Sequence, residues 1–392
     1  MATILLIIIY IAFIGLGTPD SLFGTAWPAI YGEFSLPFSS ASIITLLVTC
    51  SSMCSTLFST RLIARYGTGK VTALCTALTV VALLGHSMAG DFLTICLLSI
   101  PMGLGAGAVD TGLNNYVALH YSSTQMSLLH CFFGVGISIS PYIMSRFIST
   151  EAGWRGGYRI AFFIQLAIAL ILVLSLPLWK KVAEKKHTEE VPIRVLSIRA
   201  LARIPGVKTM WMLFLLSCAI EYTAGSWGST YLVEAKGLPA ERAAEVVLFY
   251  YIGMTVSRLL SGILATKLTC WQIIRIGMVV LGAAVVLLLL PVPTFLITVG
   301  VFMIGFGNGP MFPNFSYLTP INFGQDISQS VMGTQIAASS VGIMVVPAIC
   351  GLLGQAFGME VFPMYLALLF GLMTLGVISI QRSMKAAGKD IR

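Results

Sequence analysis

Five ionisable side chains lie inside long apolar stretches of this sequence, away from its charged loops. They are Asp20, Asp110, His130, Glu221 and Arg258. An ionisable side chain at the middle of an apolar span costs about 2.5–3.5 kcal/mol on insertion scales, so each needs a partner, a polar cavity or a function. A buried carboxyl group can alternate between protonated and ionised forms as access to it switches between the two sides of a membrane. These residues therefore predict ion-coupled transport.

The three acids are the predicted coupling residues for a proton or a cation. Asp110 is the strongest candidate, and its carboxylate could hold sodium instead of a proton if enough neutral oxygens surround it. Asp20 follows Pro19, which predicts a break in the helix and free backbone groups beside the carboxylate; sodium at Asp20 is open too. Glu221 could bind either substrate or cation. For each acid, a structural hydrogen-bond network is the alternative.

Polar and aromatic side chains in the same stretches could recognise a solute. An imidazole both donates and accepts near neutral pH, so His130 could bond a hydroxyl group or relay a proton. Aromatic faces suit the C–H side of a sugar ring, and amides suit its hydroxyl groups. The predicted substrate-binding residues are Asn114, Asn115, His130, Trp27, Trp227, Asn308, Asn314 and Gln335. Together they indicate a neutral polyhydroxylated solute, whereas helix packing is the alternative for each residue alone.

The composition indicates that these residues lie in membrane-spanning helices. Of 392 residues, 57% are hydrophobic and 10% are charged, whereas soluble chains carry about 25% charged residues. The apolar blocks are long and continuous, which favours helices over the alternating strands of a barrel. The sequence contains no pattern for an ATP-binding loop, a hydrolase, a metal or a haem, so we expect no enzyme activity, no catalytic residue, no cofactor and no structural metal.

Polar, glycine-rich and proline-rich punctuation divides the chain into twelve predicted spans. They cover residues 3–31, 39–64, 70–89, 92–119, 124–149, 157–179, 208–233, 241–265, 270–290, 293–319, 327–356 and 359–381. The long connection at 180–207 is predicted to be a cytoplasmic linker with an amphipathic interfacial helix, because Arg194, Arg199 and Arg203 alternate there with apolar residues.

The basic residues predict the orientation of the chain. With both termini inside, 17 Lys and Arg residues fall on the cytoplasmic side and five outside, and Arg258 within a span completes the total of 23, as the positive-inside rule requires. We therefore expect a multi-pass protein of the cell membrane with cytoplasmic termini. The expected partners are a small-molecule substrate, a proton or sodium ion and the lipid bilayer, with a monomeric chain and no nucleic acid.

Three pairs of matching segments indicate an internal duplication at one offset of 202 residues. They are Leu36-Pro37 with Leu238-Pro239, GLGAG at 103–107 with GFGNG at 305–309, and Ala64-Arg65 with Thr266-Lys267. This predicts an all-α fold of two pseudo-symmetric six-helix halves, 1–179 and 208–392, around a central cavity. At this offset Glu221 falls beside the counterpart of Asp20.

The loop after the second span is similar to the G-x-L-a-D-R-x-G-R-K loop of the major facilitator superfamily. It reads TRLIARYGTGK at 60–70, with Ala64 in place of the acid, while Arg65 and Gly67 are kept. SRLLSG at 257–262 is similar to the second-half pattern. Over its whole length the chain resembles this superfamily, which implies transport by alternating access and a gating role for Arg65. Arg258, near the predicted inner end of its span, is expected to latch the gate or to snorkel.

Two further segments resemble the fucose permease branch of proton-coupled and sodium-coupled sugar transporters. They are GTPDSLFGTAWP at 17–28, and DTGLNNY at 110–116 followed by LLHCFFGVG at 128–136. The resemblance implies sugar:cation symport, with an acid at Asp110 and an amide four residues later at Asn114. Gly24 stands where the fucose symporter has its first-span acid. The alternative is an antiporter that exports amphipathic drugs or lipids, and a third class is a non-transporting receptor or lipid-modifying enzyme.

Overall fold

The computed structural model describes residues 2–37, 40–148, 150–185, 192–386 and 388, and within these ranges the chain contains helices and connecting loops but no strand. The helices are α1 (Ala2–Glu33), α2 (Ala41–Tyr66), α3 (Thr68–Met88), α4 (Phe92–His120), α5 (Ser123–Phe147), α6 (Gly153–Lys185), α7 (Ile198–Leu201), α8 (Val207–Glu234), α9 (Ala240–Leu264), α10 (Cys270–Leu289), α11 (Thr294–Asn308), α12 (Met311–Phe323), α13 (Gln325–Phe357) and α14 (Val361–Ala386). The predicted all-α class is confirmed.

Twelve helical segments match the twelve predicted membrane spans. Among the described residues, eleven are long and apolar enough to cross a bilayer, and α11 and α12 together form one of these, Thr294–Phe323. The twelfth is α8, whose 28 residues reach about 42 Å at 1.5 Å per residue. Glu221 and the Thr, Gly and Ser residues of 223–230 make α8 less apolar than the others. A polar span of this kind is typical of a helix that lines a polar site.

The helix bounds repeat at the offset found in the sequence. Moving the bounds of α3 by 202 residues gives 270–290, and α10 spans Cys270–Leu289. The same shift takes α4 to 294–322, where α11 and α12 together span Thr294–Phe323. The second copy of α4 is interrupted between Asn308 and Met311, so a carbonyl group that a continuous helix would use is available there.

The linker contains less helix than its alternating pattern suggests. Its part at 186–191 lies outside the described residues, as do Lys389 and Arg392 of the predicted inner charges. Residues 192–197 are not helical, and α7 covers only Ile198–Leu201. The backbone of Arg194 bonds to α13 instead: its N–H donates to Asp326 O at 2.8 Å, and its carbonyl accepts from Ser330 Oγ at 3.1 Å. These tertiary hydrogen bonds compete with helix formation.

The described residues form two compact units. Unit 1 consists of Met1–Tyr116, Leu129–Val195 and Gln325–Gly333, and unit 2 of Val117–Leu128, Leu196–Gly324 and Thr334–Arg392. In each unit a glycine cluster brings helices into close contact. A Cβ on Gly107 would lie 2.1 Å from the Ser52 carbonyl oxygen in unit 1, and one on Gly305 would lie 2.0 Å from that of Tyr250 in unit 2. Small residues allow such close approach in membrane helices.

Candidate functional site

In unit 1, α4 and α5 join three of the predicted residues in one hydrogen-bonded chain. Asn114 Nδ2 donates to Asp110 Oδ1 at 2.8 Å and to the Asp110 carbonyl at 3.0 Å. His130 Nε2 lies 3.1 Å from Asn114 Oδ1, and because that oxygen can only accept, the ring nitrogen donates. Asp110 and Asn114 meet because residues four apart share a helix face. The result is a carboxylate–amide–imidazole chain.

The carboxylate–amide–imidazole chain lies at the boundary between the packed core of the unit and space that solvent can reach. Asn114 and His130 are buried, whereas Asp110 is half-buried. Phe13 of α1 packs edge-on against the His130 ring, with centroids 5.8 Å apart, and this contact fixes the imidazole. Asp20 is exposed and interacts electrostatically with Asp110. Two carboxylates that repel one another are stabilised when one positive charge joins them.

The predicted helix break at Pro19 is wrong, because α1 continues from Ala2 to Glu33. Side-chain hydrogen bonds hold this part of α1 against α5, and one of them reaches the Ile137 carbonyl, which Pro141 of α5 leaves without a helical N–H donor. Thr18 Oγ1 donates to Ile14 O at 2.8 Å, Ser21 Oγ donates to Ile137 O at 2.6 Å, and Ser140 Oγ donates to Thr18 O. Hydroxyl groups commonly satisfy backbone groups freed by proline in membrane helices. The Asp20 carboxylate is therefore carried by a continuous helix.

In unit 2, α8 and α9 pair the other two buried charges. Arg258 Nη2 lies 3.3 and 3.5 Å from the two carboxylate oxygens of Glu221. Arg258 Nε donates to Gly309 O at 3.4 Å, at the interruption between α11 and α12. The Tyr250 hydroxyl donates to the Glu221 carbonyl at 3.0 Å. Only 10% of the Arg258 side chain is exposed, so it makes an ion pair inside the unit and does not snorkel.

The predicted amides of unit 2 are each bonded to protein on one side only. Asn308 Nδ2 donates to Ser217 O at 3.0 Å, Asn314 Nδ2 to Pro310 O at 2.7 Å, and Gln335 Oε1 accepts from Thr319 Oγ1 at 2.8 Å. Asn308 Oδ1, Asn314 Oδ1 and Gln335 Nε2 are buried and have no hydrogen bond among the described residues, and the same holds for Asn115 Oδ1 in unit 1. A buried atom left in this state costs about 1–3 kcal/mol, so these atoms are candidates to bind a ligand.

The two predicted tryptophans are engaged in packing contacts. Trp27 is 4% exposed, and its ring centroid lies 5.3 Å from that of Phe23 and 5.9 Å from that of Tyr31. Trp227 Nε1 donates to Pro347 O at 2.7 Å. A Cβ on Gly351 would lie 2.3 Å from the Trp227 ring, so this glycine makes room for the indole. Sugar binding by either ring stays a prediction.

Arg65 lies exposed in the last turn of α2, and its guanidinium is 5.3 Å from the centroid of the Tyr66 ring. Gly67 follows with φ of 81°, a conformation that glycine adopts without strain, and it ends α2 where α3 begins. Gly67 of the loop that is similar to the superfamily loop therefore allows the backbone conformation that separates α2 from α3. The gating role of Arg65 stays a prediction.

Sequence reasoning missed an ion pair at the end of α1. Arg155 Nη2 lies 2.7 Å from Glu33 Oε1, Arg155 Nη1 lies 3.0 Å from Oε2, and Trp154 Nε1 donates to Oε2 at 2.7 Å. Glu33 follows the apolar segment Thr3–Trp27, and its hydrogen bond with Arg155 lowers the pKa of its carboxyl group. The sequence signal that could have indicated this ion pair is the adjacent Trp and Arg after Gly153. The sequence alone did not show which acid they bind.

The chain is similar to known proteins over most of its length. The Major Facilitator Superfamily model matches residues 9–347. "Bypass of stop codon protein 6" of Saccharomyces cerevisiae is 22% identical, over 93% of this chain and 80% of the relative. The 3-(3-hydroxy-phenyl)propionate transporter of Escherichia coli is 24% identical, over 73% of this chain and 71% of the relative. The outward conformation of the fucose:proton symporter FucP superimposes with a TM-score of 0.80 at 14% identity, over 95% and 97% of the two chains.

Proposed function

Because the chain belongs to the Major Facilitator Superfamily, we propose that it is a secondary active transporter that moves a sugar or sugar-like polar solute by alternating access and couples this movement to a proton. The observation that supports proton coupling most directly is the Asp110–Asn114–His130 chain. A carboxylate inside a membrane helix, bonded to a neutral amide, is suited to bind one positive charge and to release it.

The hydrogen bonds provide a way to link the proton to the solute. Asn114 Nδ2 stabilises the ionised form of Asp110, since it donates to Oδ1. When Asp110 takes a proton this bond weakens, and the amide becomes available to a hydroxyl group of the solute. His130, which donates to the other end of the same amide, adds a second contact for that hydroxyl. Proton and solute then strengthen each other's binding, because coupling between two sites is reciprocal.

Asp20 provides the second carboxylate near Asp110. In this account it helps to retain the proton on the pair while access changes. Sodium is the other candidate ion for the same pair, and it would need further oxygen ligands around the carboxylates. The two ions differ in one measurable way, since only a coupled proton changes the pH of the compartments.

The substrate panel should include acids as well as neutral sugars. The Escherichia coli relative is named for 3-(3-hydroxy-phenyl)propionate, a solute that carries a carboxylate and a hydroxyl group. FucP, which shares the fold, is named a fucose:proton symporter. Fucose and 3-(3-hydroxy-phenyl)propionate are both small polar molecules with a hydroxyl group. A hydroxyl group suits the amide groups of the predicted site.

The test is solute-driven proton movement in liposomes that contain the purified protein and a pH dye. We expect addition of a transported solute to acidify the liposome interior, because the coupled proton enters with the solute, and we expect Asp110→Asn to abolish this signal. Asp91→Asn is the control, because Asp91 is exposed and bonded to Thr94; this variant should behave like the wild type. Uptake that requires sodium and moves no protons would assign the carboxylates to sodium. A full proton signal in Asp110→Asn would refute the proposed coupling.

A further inference from the structure

The Arg258–Glu221 ion pair uses little of the donor capacity of the guanidinium group. Only Nη2 faces the carboxylate, at 3.3 and 3.5 Å, whereas charge-assisted N–H···O bonds are about 2.7–2.9 Å long and arginine–carboxylate pairs are commonly bidentate. The bond from Nε to Gly309 O is also long, at 3.4 Å. Nη1 makes no hydrogen bond to the described part of the chain.

The Arg155–Glu33 ion pair of the same protein has shorter and more numerous hydrogen bonds. Arg155 binds Glu33 through two nitrogens, Nη2 at 2.7 Å and Nη1 at 3.0 Å. Arg258 is the more buried of the two arginines, with 10% of its side chain exposed against 29% for Arg155. Because burial makes unmet donors more costly, the more buried arginine would be expected to have the better partner. It has the poorer one.

Two polar side chains, linked to this pair through α8 and through the interruption between α11 and α12, each have an atom without a hydrogen bond in the described ranges. Asn308 Oδ1 and Ser217 Oγ are buried and have no hydrogen bond within the described ranges. Asn308 precedes Gly309, to which Arg258 is bonded, and its Nδ2 donates to Ser217 O. Ser217 stands one helical turn before Glu221 on α8. The cluster therefore offers a cation together with neutral groups that can donate to and accept from hydroxyl groups.

The Glu221 side of the pair is the accessible one. Its side chain is 23% exposed, and its main chain is fixed by the Tyr250 hydroxyl. The Glu221 carboxylate is therefore the partner that an anion arriving from the accessible side could replace. A second carboxylate that arrives from the same side would find Nη1 and Nη2 of Arg258 free to form a bidentate pair.

We infer that Arg258 binds a carboxylate group of the transported solute, and that Glu221 occupies this position when the solute is absent. The substrate class is a small hydroxylated monocarboxylate, such as a sugar acid. Its carboxylate replaces that of Glu221 on Arg258, and its hydroxyl groups bond to Asn308 Oδ1 and Ser217 Oγ. This inference rests on the proposed function and narrows its substrate from neutral sugars to acids.

The first test compares the binding of acids and of their uncharged counterparts, called neutral twins below, to the purified wild-type protein. The pairs are D-glucuronate with D-glucose, and 3-(3-hydroxyphenyl)propionate with its amide. A ligand that binds the folded state raises the unfolding temperature in a concentration-dependent manner. We expect at least one acid to raise it and the matching neutral twin to have no effect. Neutral twins that bind as well as the acids, or acids that neither bind nor are transported, would overturn the inference.

The second test uses variants with opposite expected effects on the acid that binds. Arg258→Lys should weaken binding at least tenfold, because an ammonium group cannot form the bidentate pair. Glu221→Gln should tighten binding several-fold, since it removes the competing carboxylate, and a misfolded variant cannot produce such a gain. Arg242→Gln is the matched control on the same helix, since Arg242 is exposed and pairs with Glu245, three residues away. Equal weakening in Glu221→Gln and Arg258→Lys would contradict the inference.

The two proposals can fail separately. Proton-coupled uptake of neutral solutes, with acids inert, would refute the carboxylate site and leave the transporter assignment intact. Binding of acids without any proton movement would support the carboxylate site and refute proton coupling.

Discussion

The two units hold their buried charges in different ways. In unit 1, Asp110 is bonded to a neutral amide at 2.8 Å, and a second carboxylate, Asp20, lies near enough to interact with it. In unit 2, Glu221 is paired with a cation, at the longer distances of 3.3 and 3.5 Å. An added positive charge would stabilise the two carboxylates of unit 1. A carboxylate that forms shorter hydrogen bonds with Arg258 would stabilise the arrangement in unit 2. This difference is the basis of our proposals that unit 1 binds the coupled ion and that unit 2 binds the anionic group of the solute.

The largest expected effect comes from removing the cation of unit 2. Arg258→Gln leaves Glu221 with an unpaired charge that is largely buried, and loss of one partner of a buried pair costs about 3–5 kcal/mol. Because Glu221 is 23% exposed, we expect the lower end of this range. Thermal unfolding of the purified protein measures it.

The double variant Arg258→Gln/Glu221→Gln separates charge from packing. It should recover most of the stability lost in the single variant, since neither charge remains unpaired. If the double variant is as unstable as Arg258→Gln alone, the arginine acts through packing, and the contrast between the two units weakens.

A smaller effect is expected at the amide of unit 1. Asn114→Ala removes the bonds to both Asp110 and His130, which should cost about 1–3 kcal/mol of stability and lower proton-coupled uptake at least tenfold. Ser138→Ala is the control, because Ser138 is exposed on the helix that carries His130 and bonds to Gly134 O of that helix. Equal losses of uptake in the two variants would mean that the carboxylate–amide–imidazole chain has no special role.

The smallest effect is expected at the bridge between Glu33 and Arg155, which serves as the reference ion pair. The Arg155 hydrogen bond lowers the pKa of Glu33, so the bridge stabilises the protein above the unfolded-state pKa of about 4.3. This stabilisation disappears as the pH falls through the lower folded-state pKa. Glu33→Gln should cost about 1 kcal/mol or less at neutral pH, with a difference from the wild type that shrinks as the pH falls through the lowered folded-state pKa. Unfolding temperatures across pH 3–7 test this, and a difference that grows in acid would contradict it.

The fold was largely predictable because the bilayer restricts the choices. A chain that crosses a membrane as helices needs about 20 apolar residues for each span, so the spans could be located from apolar runs and their punctuation. The repeat offset was also visible, and α10 begins at Cys270 as the shifted bound of α3 requires. The predicted helix break at Pro19 was wrong. At this point α1 is held against α5 by side chains such as Ser140, which are distant in sequence, so these contacts could not be seen in the sequence.

The site was predictable where its contacts are local. Asp110 and Asn114 are four residues apart, and this spacing alone brings them together on a helix. Glu221 and Arg258 are 37 residues apart on two helices, so their pairing depends on how α8 and α9 rotate and pack. The sequence identified both as buried charges but assigned them separate roles. The orphaned oxygen of Asn308 likewise becomes visible only when the neighbouring helices are in place.

The most direct test of the central claim compares two modes of transport in Asp110→Asn liposomes. If Asp110 couples the proton to the solute, this variant should still exchange labelled for unlabelled solute across the membrane. It should fail to accumulate the solute when a pH gradient is imposed, whereas the wild type and Asp91→Asn do both. Accumulation that follows the pH gradient in Asp110→Asn as it does in the wild type would show that the coupling ion binds elsewhere.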